Sequence, residues 1–212
     1  MPARRILVLG ATGGTGRHVV EQAAGMGLEV TALVRTPNKL PATGRSLQIV
    51  IGDIRTDSPT VRGAYAAQDA VISTLGVGQS FKSRGLIAQA VPLIIAAMRE
   101  HGVRRLVFTS AFGMGPTWQD TPFVPRLFVK TLLRDVYADK TAGEQFIKDS
   151  GLDWTIVYPG GLTNGPRTGT ARVGERLKLS GFPRVSRADV AAVLLQQLDD
   201  PRFVGKGILV AD

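Results

Sequence analysis

The stretch ILVLGATGGTGRHVVEQA at 6–23 constrains this chain more than any other. Four aliphatic residues run into four glycines within seven positions, and an amphipathic helical pattern follows at once. Glycine loses more conformational freedom on folding than any other residue, so a cluster at a strand-to-helix junction needs a geometric reason. Gly10, Gly13 and Gly16 stand three apart. In that spacing the first permits a tight turn, the second admits a pyrophosphate to the backbone, and the third lets helix and strand pack closely. The helix start contributes unpaired N–H donors and positive potential. Thr12 and Thr15 add hydroxyls, and Gly14 adds freedom to the loop. No Lys-Ser or Lys-Thr pair closes it, so it is not a nucleoside-triphosphate P-loop.

The rest of the chain repeats the alternation that this junction starts. Short β-branched runs at 5–9, 29–34, 47–51, 70–73, 104–109, 154–158 and 207–210 read as strands. Helical patterns lie near 15–26, 59–67, 83–101, 125–149 and 187–198. Aliphatic strands separated by helices call for a parallel sheet covered on both faces. The expected class is α/β, a Rossmann-type doubly wound, mostly parallel sheet. Ser186 with Asp189 opens the last helix like a capping box, with Asp in place of the usual Glu. No linker divides 1–212, so one domain is expected, with about 160–212 forming a small cap over the substrate side.

Composition removes several classes of chemistry. Cysteine is absent, which excludes a disulfide framework, a thiolate nucleophile and a cysteine zinc site, and fits a cytoplasmic location. The two histidines, His18 and His101, lack metal-ligand spacing, and His101 reads as a partner for a helix C-terminus. No uncharged stretch is long enough to span a membrane. The formal charge is +9, densest through Arg167, Arg172, Arg176, Lys178, Arg184 and Arg187. That segment is either a solvated basic face or a surface that meets an anionic small molecule. A nucleic-acid partner is not expected, since no binding motif or interleaved aromatic pattern accompanies the charge. Oligomeric state is left open.

The end of the second strand gives the next signal. Chains built for NAD usually place an acid there for the ribose 2′-hydroxyl; here the sequence is TALVRTPNK, with Arg35 at that point. A guanidinium suits a 2′-phosphate, with Arg17 available to assist, so the cofactor expected is NADP(H).

Read with VIGDI at 50–54, ISTLG at 72–76, FTSAFG at 108–113, SGLDWTIVYPGGL at 150–162 and VSRADVA at 185–191, the chain resembles the atypical short-chain dehydrogenase/reductases. Within them it is most similar to the biliverdin-IXβ reductase/flavin reductase group and its NmrA-like bacterial relatives. The resemblance implies that Asp53 and Ile54 border the adenine and that Leu75 and Gly76 line the cofactor. It also implies that Ser110 lies beside the nicotinamide and that Pro159 and Gly160 flank that ring from the other side. Two positions depart from the family pattern. Tyr137 and Lys140 stand three apart, where the usual Tyr-x-x-x-Lys pair stands four apart. Gly161 occupies the place of a histidine that the flavin reductase group often carries.

These residues point to an NADPH-dependent reductase. Ser110 orients the carboxamide or the acceptor, and the proton comes from water or Lys140, with Tyr137 on the same helix face. Lys140 has an alternative partner in Glu144, one turn on along a solvated face. Acceptors needing little acid help fit best: flavins, quinones or biliverdin-like molecules. An NADP-binding redox sensor without turnover is the alternative. A sugar-nucleotide epimerase needs a competent tyrosine base and a larger substrate domain.

Overall fold

The computed structural model describes residues 3–37, 40, 46–78, 80, 82–115, 134–179 and 181–212. In chain order the elements are β1 (Arg5–Leu9), α1 (Gly14–Gly25), β2 (Glu29–Val34), β3 (Leu47–Ile51), α2 (Pro59–Gly63), β4 (Ala70–Ser73), α3 (Leu86–Glu100) and β5 (Arg105–Thr109). There follow α4 (Arg134–Lys148), β6 (Asp153–Pro159), β7 (Gly161–Thr163), β8 (Arg172–Gly174), β9 (Arg184–Ser186), α5 (Arg187–Gln196) and β10 (Lys206–Ala211), with a 3-10 turn at Pro201–Phe203 before the last strand.

The main sheet runs β3-β2-β1-β4-β5-β6-β10-β8. Every neighbour pair is parallel except β8, which runs antiparallel to β10 along the edge. This is the doubly wound Rossmann architecture, and the near-continuous aliphatic strands follow from it. Leu7 and Leu9 of β1 face a core shared with α3 and α4, while Ile6 and Val8 face a second core shared with α1 and α5. With both faces dry, polar alternation has no place in the central strands.

Strand order reverses between β1 and β4, and that break places the site. Ligands of open α/β sheets bind where carboxyl ends of adjacent strands diverge. Thr74, just past β4, seals the base of this crevice: its amide donates to Leu9 O (2.9 Å), and its hydroxyl reaches Leu9 O (3.0 Å) and Gly10 O (3.1 Å).

The C-terminal segment, about 160–212, is divided between the main sheet, its helical layer and a small ribbon. The helix α5 packs beside α1 in the second core, and β10 extends the main sheet next to β6. Among the described residues, only the short parallel ribbon of β7 and β9 forms a sheet of its own. The Ser186–Asp189 signal also serves a wider purpose than a capping box. The Ser186 hydroxyl accepts from the Asp189 amide (2.9 Å). The Asp189 carboxylate, however, holds the amides of Thr168 (3.0 Å) and Gly169 (2.8 Å), so it ties a loop to the helix start. The residues at 125–133 of the expected fourth helix lie outside the described residues, and α4 is described from Arg134.

Candidate cofactor and active site

The glycine loop has the geometry its spacing calls for. Gly10 adopts φ +77°, and a Cβ there would stand 2.8 Å from Thr74 O. A Cβ on Gly16 would meet the Gly10 carbonyl oxygen and lie 2.8 Å from Thr74 Oγ1, so the close approach of α1 to β1 requires glycine. The Gly13 amide closes the turn onto Gly10 O (2.9 Å), and Gly13 then serves as N-cap without any side-chain cap. The amides of Gly14, Thr15 and Gly16 are left without intrahelical acceptors, and no acid stands in the first turn. Those donors together with the helix dipole make an anion site.

Two clefts meet at this loop. The larger, about 390 Å³, is lined by Gly10, Thr12 and Gly13 with Arg35, Asp53, Ile54, Leu75 and Gly76. The smaller, about 290 Å³, is lined by Gly13, Gly14 and Thr15 with Ser110, Lys140, Leu162 and Arg187. Gly13, Thr74, Leu75, Gly76 and Gly78 belong to both, so the two form one trough along the carboxyl edge of the sheet. Its size and mixed lining suit a small organic ligand. Hollows of about 360 and 490 Å³ also occur near Arg5 and near Arg105, at the amino ends of strands and remote from the glycine loop.

At the outer end of the trough Arg35 is exposed at the rim. The Asp53 carboxylate is engaged by Arg55, which donates from its backbone amide (3.0 Å), Nε (3.1 Å) and Nη2 (2.6 Å). These bonds draw the Asp53 pKa down to about 2, with a smaller pull from Arg35.

The inner end contains a buried polar network. Ser110, 5% exposed, donates to Glu144 Oε1 at 2.6 Å. The Tyr158 hydroxyl donates to Glu144 Oε2 at 2.8 Å, and Lys148 Nζ stands 3.6 Å from the same oxygen. Burial and the neighbouring Glu144 both raise the Tyr158 pKa. Lys140 is buried beside this network, with Nζ donating to Thr109 O at 3.3 Å. Loss of hydration brings its pKa down to about 8, against the opposing pull of Glu144 and Asp139. The solvated-face pairing of Lys140 with Glu144 is therefore corrected: both are buried, and the ion pair of Glu144 is with Lys148.

Residues 10–201 match the protein family described as NAD(P)H-binding. The chain belongs to that family. It is an atypical short-chain dehydrogenase/reductase of the NmrA-like kind. An uncharacterized chloroplastic protein of Arabidopsis thaliana is 33% identical over 184 residues, covering 78% of this chain; the chain spans 62% of that relative's length. A Rossmann-fold NAD(P)-binding family protein from Shigella flexneri superposes with a TM-score of 0.74 at 26% identity, covering 99% of this chain and 93% of the other. A structure described as an anaerobillin reductase from Escherichia coli O157:H7 superposes with a TM-score of 0.79 at 26% identity, covering 98% and 96%.

For an NAD(P)H-binding protein the glycine cradle and its free amides fit the cofactor expected from the sequence, NADP(H). Gly10, Thr12, Gly13, Gly14, Thr15, Gly16, Arg35, Asp53, Ile54, Leu75, Gly76, Ser110 and Lys140 are brought together along or directly behind the trough. Three further residues do not line the trough. The Tyr137 hydroxyl donates to Phe112 O at 2.7 Å, and Tyr137 does not line the trough although the sequence puts it on the helix face of Lys140. Pro159 and Gly160 lie behind the wall: Pro159 O accepts from the Phe112 amide (3.0 Å), and a Cβ on Gly160 would stand 2.8 Å from Pro183 backbone. Leu162 of β7 is the residue from this segment that reaches the trough. Sequence reasoning assigns no role in the site to Glu144 or Arg55. The Arg55–Asp53 contact is local, two residues apart, whereas Glu144 meets Ser110 and Tyr158 only through the fold. Among the described residues no group of three potential ligands forms a metal site, and no helix is long and apolar enough to cross a membrane.

Proposed function

We propose that this protein is an NADPH-dependent reductase that passes a hydride to a conjugated acceptor such as a flavin, a quinone or a linear tetrapyrrole. The observation that carries this reading is Lys140: a buried ammonium with a pKa of about 8, lining the inner end of the trough that begins at the glycine loop. Titratable groups perturbed by burial inside a cleft mark functional sites. The anaerobillin reductase among the structural neighbours supports the tetrapyrrole class.

In this reading Arg35 receives the 2′-phosphate, the amides of Gly14, Thr15 and Gly16 receive the diphosphate, and Asp53 and Ile54 border the adenine. Bound there, NADPH supplies the hydride. Ser110 gives its single proton to Glu144, so its oxygen faces the ligand as an acceptor and suits the amide N–H of a carboxamide. Lys140 keeps two N–H donors beyond the one held by Thr109 O. With a pKa of about 8 it is mostly protonated at neutral pH and is matched to give a proton to the reduced acceptor. The basic residues of 167–187 draw anionic acceptors toward this end. The proposal places the protein in the cytoplasm.

A second reading, an NADP-binding sensor without turnover, is favoured by the commitment of the Tyr137 hydroxyl to Phe112 and by Gly161 in the histidine position. One assay separates the two. The purified protein is incubated with NADPH and, in turn, FMN, a quinone and biliverdin, while the absorbance of the reduced nicotinamide is followed. Steady oxidation above the protein-free background supports the reductase. Tight NADPH binding with no consumption across all three acceptors supports the sensor.

A further inference from the structure

Arg187 opens α5, far along the chain from the glycine loop, yet its side chain lies across the first turn of α1. A Cβ added to Gly14 would stand 2.8 Å from both Cδ and Nε of Arg187. The half-buried guanidinium lines the inner trough with Gly13, Gly14 and Thr15. Its Nη1 donates to Asn164 Oδ1 at 2.6 Å, which fixes the direction of the fork. Among the described residues no carboxylate forms an ion pair with it. The acid on its own helix, Asp189, is occupied by Ser186, Thr168 and Gly169.

This arrangement inverts the usual electrostatics of a helix end. Cations are favoured at C-termini and anions at N-termini. Here a guanidinium is held over an N-terminus with no acid in its first turn. An anion between the two relieves both, taking hydrogen bonds from the amides on one side and from Nε and Nη2 on the other. We infer that Arg187 is a cofactor-binding residue that clamps the dinucleotide's diphosphate against the glycine loop, and that Gly14 is glycine to leave room for it. Asn164, between β7 and the loop held by Asp189, acts as a positioning residue for the clamp. Cofactor binding thereby tethers the β7–β9 ribbon to α1.

The inference rests on the dinucleotide reading, and the test separates their failures. NADPH and adenosine 2′-monophosphate, which reaches only the Arg35 end, are titrated calorimetrically into wild type, Arg187→Met, Arg187→Lys and Gly14→Ala. Loss of charge-assisted bonds in Arg187→Met is expected to weaken NADPH about 10- to 100-fold while leaving the monophosphate unchanged. Arg187→Lys falls between, since it keeps charge but loses the fork. Gly14→Ala, which displaces an intact arginine, weakens NADPH in the same selective way. Wild-type NADPH affinity in Arg187→Met, or equal weakening of both ligands, overturns the clamp alone. A wild-type protein that takes up no NADPH overturns the clamp and the dinucleotide reading together.

Discussion

Ser110 Oγ lies 2.6 Å from Glu144 Oε1, inside a pocket where Glu144 is only 2% exposed. The bond joins the carboxyl end of β5 to the middle of α4 and fixes the serine rotor. In the proposed reductase Ser110, its proton given to Glu144, offers a ligand lone pairs alone. Ser110→Ala is expected to lower turnover about tenfold or more while NADPH affinity stays within about twofold, because one orienting hydrogen bond is lost at the reacting end only. Parallel steady-state kinetics and calorimetry check this. An unaltered rate removes Ser110 from the reaction.

The buried ammonium of Lys140 carries a stability cost whose sign follows from linkage. Its pKa falls from 10.5 to about 8 in the folded protein. Between about pH 8 and 10.5 the unfolded chain binds more protons at this residue, so its contribution to stability rises with pH across that window. Below the folded pKa the cost is present in full. Lys140→Met is expected to stabilise the protein near neutral pH by about 1–3 kcal/mol, to lose that advantage toward about pH 10, and to lose most reductase activity. Urea unfolding of both proteins at the two pH values gives the comparison. A variant less stable than wild type near neutrality contradicts the assignment.

Two glycines of α1 are expected to respond to alanine with opposite signs. A methyl group added at Gly25 has nothing within 4 Å, so Gly25→Ala gains helix propensity and stabilises by about 0.5–1 kcal/mol. At Gly16 the methyl group meets the backbone oxygen of Gly10, which has no flexible side chain to give way. Gly16→Ala is expected to cost about 1–3 kcal/mol and to weaken NADPH. Thermal melts of the two variants decide the matter, and stabilisation by Gly16→Ala would show that α1 sits farther from β1.

The parts of this protein legible in its sequence are those that depend on neighbours in the chain. β1, β2, β4, β5, β6 and β10 announce themselves because both faces are largely buried, as Leu7 and Val8 show from opposite cores, whereas β3 at the sheet edge is half exposed and is legible only from its aliphatic run. The glycine loop is equally local. The ribbon strands β7 and β9 are three residues each, too short to show a period. The Ser110–Glu144 bond, the Tyr137–Phe112 bond and the approach of Arg187 to Gly14 each join separate elements. No spacing encodes such contacts. Pro159 and Gly160 stand at a strand end, where a ligand is expected, and Leu162, past the turn into β7, lines the trough without any sequence signal.

The account depends most on a dinucleotide lying along the glycine loop with its ribose phosphate at Arg35. Calorimetric titration of wild type and Arg35→Asp with NADPH and with NADH tests this directly. The wild type is predicted to bind NADPH at least about tenfold more tightly than NADH, and Arg35→Asp to erase or reverse that ratio. An unchanged ratio in the variant, or no uptake of either nucleotide by the wild type, contradicts it.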